Sequence, residues 1–480
     1  MPVRRERVAR LRCRGLRGGQ VYVAGIGLSN VRGFTGARAV EHHLPLAAPR
    51  DGGGWTVIAG RNGSGKSTLL RALALSLAGP QVARSLVQQD FGGWISVGEW
   101  SAWTRAYVQP APSVDRFTGR DTVPDGGPLT LGLRWMVPEE APGLPRYGAP
   151  PQPHLTSDCG GEDATRTAAR GPWAHSPQGW FCAAYGPFRR MTGGSGQAQQ
   201  LMLAPGPAGR MASLFHEEAS LAEGVSWLRE LRHRSLEEQR DAGELLDTVM
   251  QLLSDGLLPD GYRALRVTAD GLWVAPAGDR ERAYPLREMS DGFRVVASLV
   301  LDIVRQVQNA YGTLDAGLDD DGHPVVRMPG VVIIDEVDAH LHVTWQRRIG
   351  DWLRTHFPRI QFIVTSHSPY ICQAADPGGL IRLPGPEEQG GPEVVDDALY
   401  RRVVYGSGED VVLSELFGLE TPYSNRAEED RRRLVRLEEK VFSGEASEQE
   451  ALAYRELAAQ LNSSRSARVQ EVAARLGSGQ

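Results

Sequence analysis

An α/β fold, with a parallel sheet at its centre and an antiparallel β-layer beside it, is what the sequence predicts. Three stretches carry that prediction. Trp55-Thr56-Val57-Ile58-Ala59 reads as a short β-branched strand, runs into the glycine-rich loop Gly60-Arg61-Asn62-Gly63-Ser64-Gly65-Lys66-Ser67, and continues from Thr68 to Leu75 as a helix. Val331-Val332-Ile333-Ile334, bounded by Gly330, is the apolar run expected of a strand buried on both faces. Trp345, Ile349, Trp352 and Leu353 mark one face of a helix stopped near Pro358, and Phe362-Ile363-Val364-Thr365 is a further strand. Strand, helix, strand is a right-handed parallel crossover.

The remaining elements follow in order. Arg4, Arg5, Arg7, Arg10, Arg12, Arg14 and Arg17 precede any apolar run, which excludes a signal peptide and favours a solvated leader over an arm touching nucleic acid. Val21 to Phe34 and Arg38 to Leu46 read as strands around a turn at Thr35-Gly36, and Trp94 to Val97, Trp103 to Val108 and Leu129 to Trp135 extend the layer. Pro138 to Pro177 is dense in Pro, Gly and Ser and reads as a long surface loop. From Ser213 to Asp255 the periodicity is helical. Ser235 and Glu238 have capping-box spacing, and Leu245, Leu246, Val249, Leu252 and Leu253 form one apolar face before Gly256. A hairpin turning at Asp270-Gly271 spans Leu265 to Ala275, and Met289 to Arg294 opens a buried helix. Charge-rich segments around Ser443-Gly444 predict two amphipathic helices in a tail. The expected organisation is an N-terminal lobe at 21–135, an insertion at 136–285, a C-terminal lobe at 286–385 and a helical tail at 386–480.

Across 480 residues the net charge is −5, so overall charge gives no argument for nucleic acid, although a local patch remains compatible with it. Cys13, Cys159, Cys182 and Cys372 are scattered, as expected of reduced thiols in the cytoplasm. No apolar run reaches membrane-spanning length, so no membrane partner is expected.

The chemistry begins at Gly60 to Ser67, a complete G-x-x-x-x-G-K-[ST] loop. Its glycines let backbone N–H groups converge on one anion, and the following helix adds its N-terminal partial charge. Lys66 is then placed for the β/γ-phosphates of a nucleotide, and the Ser67 hydroxyl for Mg²⁺. Asp335-Glu336, at the end of a buried strand, supplies what phosphoryl transfer to water needs: Asp335 to hold Mg²⁺ and Glu336 to orient or deprotonate the water. His367 ends the neighbouring strand, where ligands collect at the carboxyl edge of a parallel sheet. His340 and His342 have no evident third ligand, which favours structural roles over a metal site. Ser290-Asp291-Gly292 opens a buried helix, either as a plain N-cap or as a second anion-binding terminus serving another copy of the chain.

The ordered set Gly60 to Ser67, Met289 to Arg294, Val331 to Glu336 and Thr365 to Pro369 resembles the ABC-type ATPase head, a P-loop NTPase fold. It is most similar to the overcoming-lysogenization-defect branch and to the ATPase subunit of Septu-type anti-phage systems. The likeness runs from about Ile26 to Ile371 and includes Ala184 to Arg189 and Trp227-Leu228. It implies a Mg²⁺-dependent ATP hydrolase that forms a homodimer or higher oligomer around ATP. In that arrangement Ser290 and Gly292 act in trans, His367 serves as the switch histidine, and Asp338 with Ala339 lies in an inter-subunit loop. It also implies a separate effector subunit, a nuclease. A chromosome-maintenance or DNA-repair ATPase and a transporter subunit are the alternatives. The signature departs from transporter Ser-Gly-Gly-Gln, and the glutamine of the usual Q-loop has only Gln88 and Gln89 as candidates.

Overall fold

The computed structural model describes residues 19–49, 53–87, 91–119, 127–138, 153–189, 196–204, 206–258, 261–419 and 421–461. The arginines at 4–17, Cys13, Gln88 and Gln89 lie outside the described residues. The chain divides into two compact units, with the break between Val411 and Val412.

In the first unit the order begins β1 (Tyr22–Ser29), β2 (Val40–Pro45), β3 (Gly54–Ala59), α1 (Lys66–Leu86), β4 (Ser101–Gln109), β5 (Leu129–Met136), β6 (His154–Ser157), α2 (Glu162–Arg170) and β7 (Cys182–Tyr185). An inserted helical stretch follows: α3 (Gly196–Leu203), α4 (Pro207–Phe215), α5 (Ala222–Leu236) and α6 (Arg240–Ser254). A small sheet is made by β8 (Tyr262–Thr268), β9 (Gly271–Pro276) and β10 (Tyr284–Pro285). Then come α7 (Asp291–Tyr311), the hairpin β11 (Ala316–Leu318) and β12 (Pro324–Val326), β13 (Gly330–Ile334), α8 (Val343–Gln346), α9 (Ile349–His356), β14 (Ile360–Thr365), α10 (Pro369–Gln373), β15 (Leu380–Arg382), β16 (Glu393–Val394) and α11 (Asp397–Tyr405). After α12 (Gly408–Val412), which straddles the break, the second unit holds α13 (Asn425–Phe442) and α14 (Glu448–Leu461), the helix pair expected around Ser443-Gly444.

Two sheets organise the first unit. One is antiparallel, in the order β2-β1-β4-β5-β6; the other runs β16-β15-β3-β14-β13-β7, with β15, β3, β14, β13 and β7 parallel. Strands β3, β13 and β14 are buried along their whole length, which is why their sequences lack the alternation of a half-exposed strand. Ile58, Val331, Ile333 and Ile363 join α1 and the antiparallel sheet in one core. On the other face the Trp55 ring lies 5.6 Å from that of Phe362, and Gly350 of α9 sits against the Trp55 indole. Buried Gln361 clamps the sheets together: its Oε1 accepts from Val23 N at 2.8 Å and its Nε2 donates to Val23 O at 3.0 Å and Ala47 O at 3.1 Å.

Several local expectations are corrected. Within 138–177, the described part is not structureless, since it holds β6 and α2. Trp94 closes a 3-10 turn, Phe91–Trp94, whose ring stacks on Trp135 at 5.8 Å; Ile95 makes only an isolated bridge to Val31. Ser235 belongs to the last turn of α5, and Glu238 takes φ +63°, so no capping box forms and α6 starts after Gln239. The helix expected from Trp345 to Leu353 is two short ones. Residues 386–411, grouped by composition with the tail, belong to the first unit, contributing β16 to the central sheet and α11, which packs on α10.

Helix α1 is also interrupted. Gly79 has φ +82°, and the ring of Trp173 occupies the space a Cβ would need, 2.6 Å from it. Pro80 lacks the N–H that would bond to Ser76 O, and the Trp173 indole Nε1 donates to that carbonyl at 3.0 Å instead.

Candidate active site

Three loops leave the carboxyl ends of β3, β13 and β14, which the parallel register brings to one level: Ile334 lies beside Val364, and Thr365 beside Ile58. The first is Gly60 to Ser67. Gly65 is the N-cap of α1 with φ +96°, and a Cβ there would meet the Phe34 ring at 2.8 Å, so only glycine fits. Lys66 Nζ donates to Gly60 O at 2.8 Å and Arg61 O at 3.1 Å, holding the loop closed on itself. Arg38 adds a strap, with Nη2 donating to Ser64 O at 2.8 Å and Nη1 to Pro384 O at 2.9 Å. Ser64 Oγ is buried without a partner. Asn62, Gly63, Ser67 and Thr68 complete the loop and the first turn of α1.

The second loop carries the acidic pair. Asp335 is buried at 1% exposure, and Thr365 Oγ1 donates to its Oδ1 at 2.5 Å while accepting from Glu336 N at 2.7 Å. Glu336 itself takes φ +46°, a left-handed conformation unusual for a side-chain-bearing residue. Buried Arg189 supports it: its guanidinium donates to Asp335 O at 3.2 Å, Glu336 O at 2.9 Å and Val337 O at 3.4 Å. Burial draws the Arg189 pKa down to about 10, against the pull of Asp338, Asp335 and Glu336.

Electrostatics link the three loops. Burial lowers the Lys66 pKa, while Asp335, Glu336 and Asp338 raise it. Burial, then Asp335 and Asp338, lifts the Glu336 carboxyl above its ordinary range. His367, half-buried on the third loop, is held below its ordinary pKa by burial and then by Lys66. Asp338 Oδ1 is buried without a partner. One chain therefore gathers Lys66, Asp335, Glu336, Asp338 and His367. The unpartnered Ser64 and Asp338 oxygens, the anion cradle and the Asp335 carboxylate fit a nucleotide phosphate with Mg²⁺.

Ser290-Asp291-Gly292 forms the start of α7. Ser290 is the exposed N-cap of α7, and Asp291 pairs with Arg294. Gly292 packs against the second loop, since a Cβ there would lie 2.5 Å from His340 O. His342 caps α8 by accepting from Thr344 N, and exposed His340 has φ +66°. Sequence reasoning missed the roles of Arg38, Arg189 and Thr365. Each acts on groups far away in the chain, backbone carbonyls for the two arginines and a backbone amide with a carboxylate for Thr365, and no local spacing announces that.

This fold and loop set define a class. It is a P-loop NTPase fold, and two family models match it: one described as "AAA domain, putative AbiEii toxin, Type IV TA system" over residues 268–373, and one described as "AAA domain" over residues 26–92. More particularly, the chain resembles Septu-type defence ATPase subunits. It is 35% identical over 104 residues to the Septu protein PtuA of Bacillus mycoides (strain KBAB4), covering 22% of this chain and 13% of that protein. It is 33% identical over 116 residues to the retron Ec83 probable ATPase of Escherichia coli, covering 23% and 19%. With a PtuA of Bacillus thuringiensis it shares 27% identity over 128 residues, 27% of this chain and 31% of that one, so at most 31% of any of these three relatives is spanned. Among solved structures, an SMC head bound to the C-winged helix domain of ScpA aligns at TM-score 0.44 and 15% identity, over 78% of this chain and 97% of that one. The recombination mediator RecF aligns at TM-score 0.39 and 12% identity, over 79% and 99%.

Proposed function

We propose that the protein is a Mg²⁺-dependent ATPase of anti-phage defence that dimerises around ATP and regulates or powers a separate effector, a nuclease. The carrying observation is the convergence of Lys66, Asp335, Glu336 and His367 where three parallel strands end. In this reading the N–H groups of Gly60 to Gly65 and the Lys66 ammonium bind the β- and γ-phosphates, and Arg61, Asn62 and Thr68 complete the cradle. Ser67 and Asp335 would hold Mg²⁺, which offsets charge on the phosphates. Glu336, with its raised pKa, takes the proton of the attacking water, and His367, kept neutral, hydrogen-bonds the γ-phosphate or that water. Ser290 and Gly292 of a second copy complete the site from across the nucleotide. The defence role is supported by the partial likeness to Septu and retron proteins. Asp396 caps α11 through Leu399 N and Asp410 is bonded to Ser407, so these two carboxylates serve local structure, and in this reading the effector is a separate subunit.

Phosphate release and nucleotide binding test this together. Glu336→Gln keeps shape but removes the base, and should slow hydrolysis by about 10²–10⁴-fold while leaving ATP bound. Lys66→Ala should weaken binding by about 2 kcal/mol or more, because charged contacts to phosphate are lost. Wild-type turnover in Glu336→Gln would remove the assignment.

A further inference from the structure

Away from the phosphate loop, three residues distant in sequence meet: Asp255 after α6, His323 in the β11–β12 hairpin, and His356 at the end of α9. His323 Nδ1 lies 2.7 Å and His356 Nε2 3.1 Å from the same oxygen, Asp255 Oδ2. The other nitrogen of His356 is 2.8 Å from the Trp352 carbonyl. A carbonyl can only accept, so Nδ1 carries the hydrogen, and in the neutral ring Nε2 presents a lone pair to the carboxylate. Two lone pairs facing each other repel, and a cation between them reverses the sign of that interaction.

We propose that Asp255, His323 and His356 form a zinc site. Two imidazole nitrogens and one carboxylate oxygen are ligands suited to Zn²⁺, and these atoms lie within 4.8 Å of one another. A tetrahedral ion about 2 Å from each ligand needs donor atoms roughly 3.3 Å apart; the two nitrogens lie 2.7 and 3.1 Å from Asp255 Oδ2, so modest side-chain shifts admit it. Supporting contacts orient the set. The Trp352 carbonyl fixes the His356 tautomer, the Trp352 indole donates to Asp255 O at 2.7 Å, and that indole stacks on His356 at 4.0 Å. The hairpin is held too, with His323 N donating to Asp319 Oδ1 at 2.8 Å. His356 is 3% exposed, whereas His323 is 45% exposed and lines a cavity of about 760 Å³. The fourth position therefore faces solvent and takes water. The ion ties the end of the helical insertion to α9, which packs on the central sheet.

Nucleotide-free, full-length protein stripped with EDTA is titrated with Zn²⁺ against a chromogenic chelator, and with Co²⁺ as a spectroscopic substitute. The expected result is one equivalent of Zn²⁺ per chain, a Co²⁺ visible spectrum of nitrogen and oxygen ligation, and a rise in Tm on adding Zn²⁺. His323→Ala, on an exposed turn that should fold, and Asp255→Asn should each weaken binding at least about tenfold and abolish the spectrum and the Tm rise. Asp335→Asn should leave zinc binding unchanged, which separates this site from the phosphate site. Absence of binding in the wild type, as expected if a proton on His356 fills the gap, overturns the proposal; so does stoichiometric binding that survives both substitutions.

Discussion

Thr365 performs two tasks with one hydroxyl, fixing Asp335 by donating and Glu336 by accepting. Thr365→Val keeps the shape and deletes both bonds, leaving a buried carboxylate oxygen and a backbone N–H unpaired. That should cost about 1–3 kcal/mol, seen as a lower Tm and a lower kcat with nucleotide affinity retained. The neighbouring charge makes a second prediction. Glu336 acts only when ionised, and its folded pKa lies above the ordinary 4.5, so turnover should fall with decreasing pH sooner than an exposed glutamate would allow. His367, lowered below 6.5, stays neutral above that value and adds no charge change there. A kcat profile whose acid limb sits at or below 4.5 would refute the arrangement.

At the scale of elements, α1 depends on a partner supplied far down the chain. Trp173→Phe keeps an aromatic ring beside Gly79 but strands Ser76 O, the carbonyl left over by Pro80, and should lower stability by about 1–3 kcal/mol in a denaturant titration without altering nucleotide contacts. The same residue explains a limit of the sequence. Val331 to Ile334, Phe362 to Thr365 and Gly60 to Ser67 were legible because apolar runs and a glycine loop encode their own structure locally. The stretch around Trp173 was not: β6 has four residues, α2 has nine, and both are held by packing against β5. Ser235 and Glu238 misled for the converse reason, since a fitting local spacing was overridden by a break at Glu238.

For the whole molecule, the residues gathered by one chain and the exposed start of α7 set up a test of shared sites. If Ser290 and Gly292 serve a partner's nucleotide, Lys66→Ala and Ser290→Arg chains mixed equally should regain roughly a quarter of wild-type hydrolysis, because half the dimers then hold one intact site of two. No recovery in mixtures shown to contain heterodimers would exclude the shared geometry. The sheet order has another consequence, one of timing during synthesis. Among the described residues the antiparallel layer has its strands by residue 157, but β3 pairs only with β14 and β15, which the ribosome delivers from residue 360 onward. Until then a strand destined for complete burial has both edges bare, a state that favours aggregation and slow, non-local closure. A nascent chain arrested before residue 360 should therefore hold chaperones, and one released beyond residue 382 should let them go.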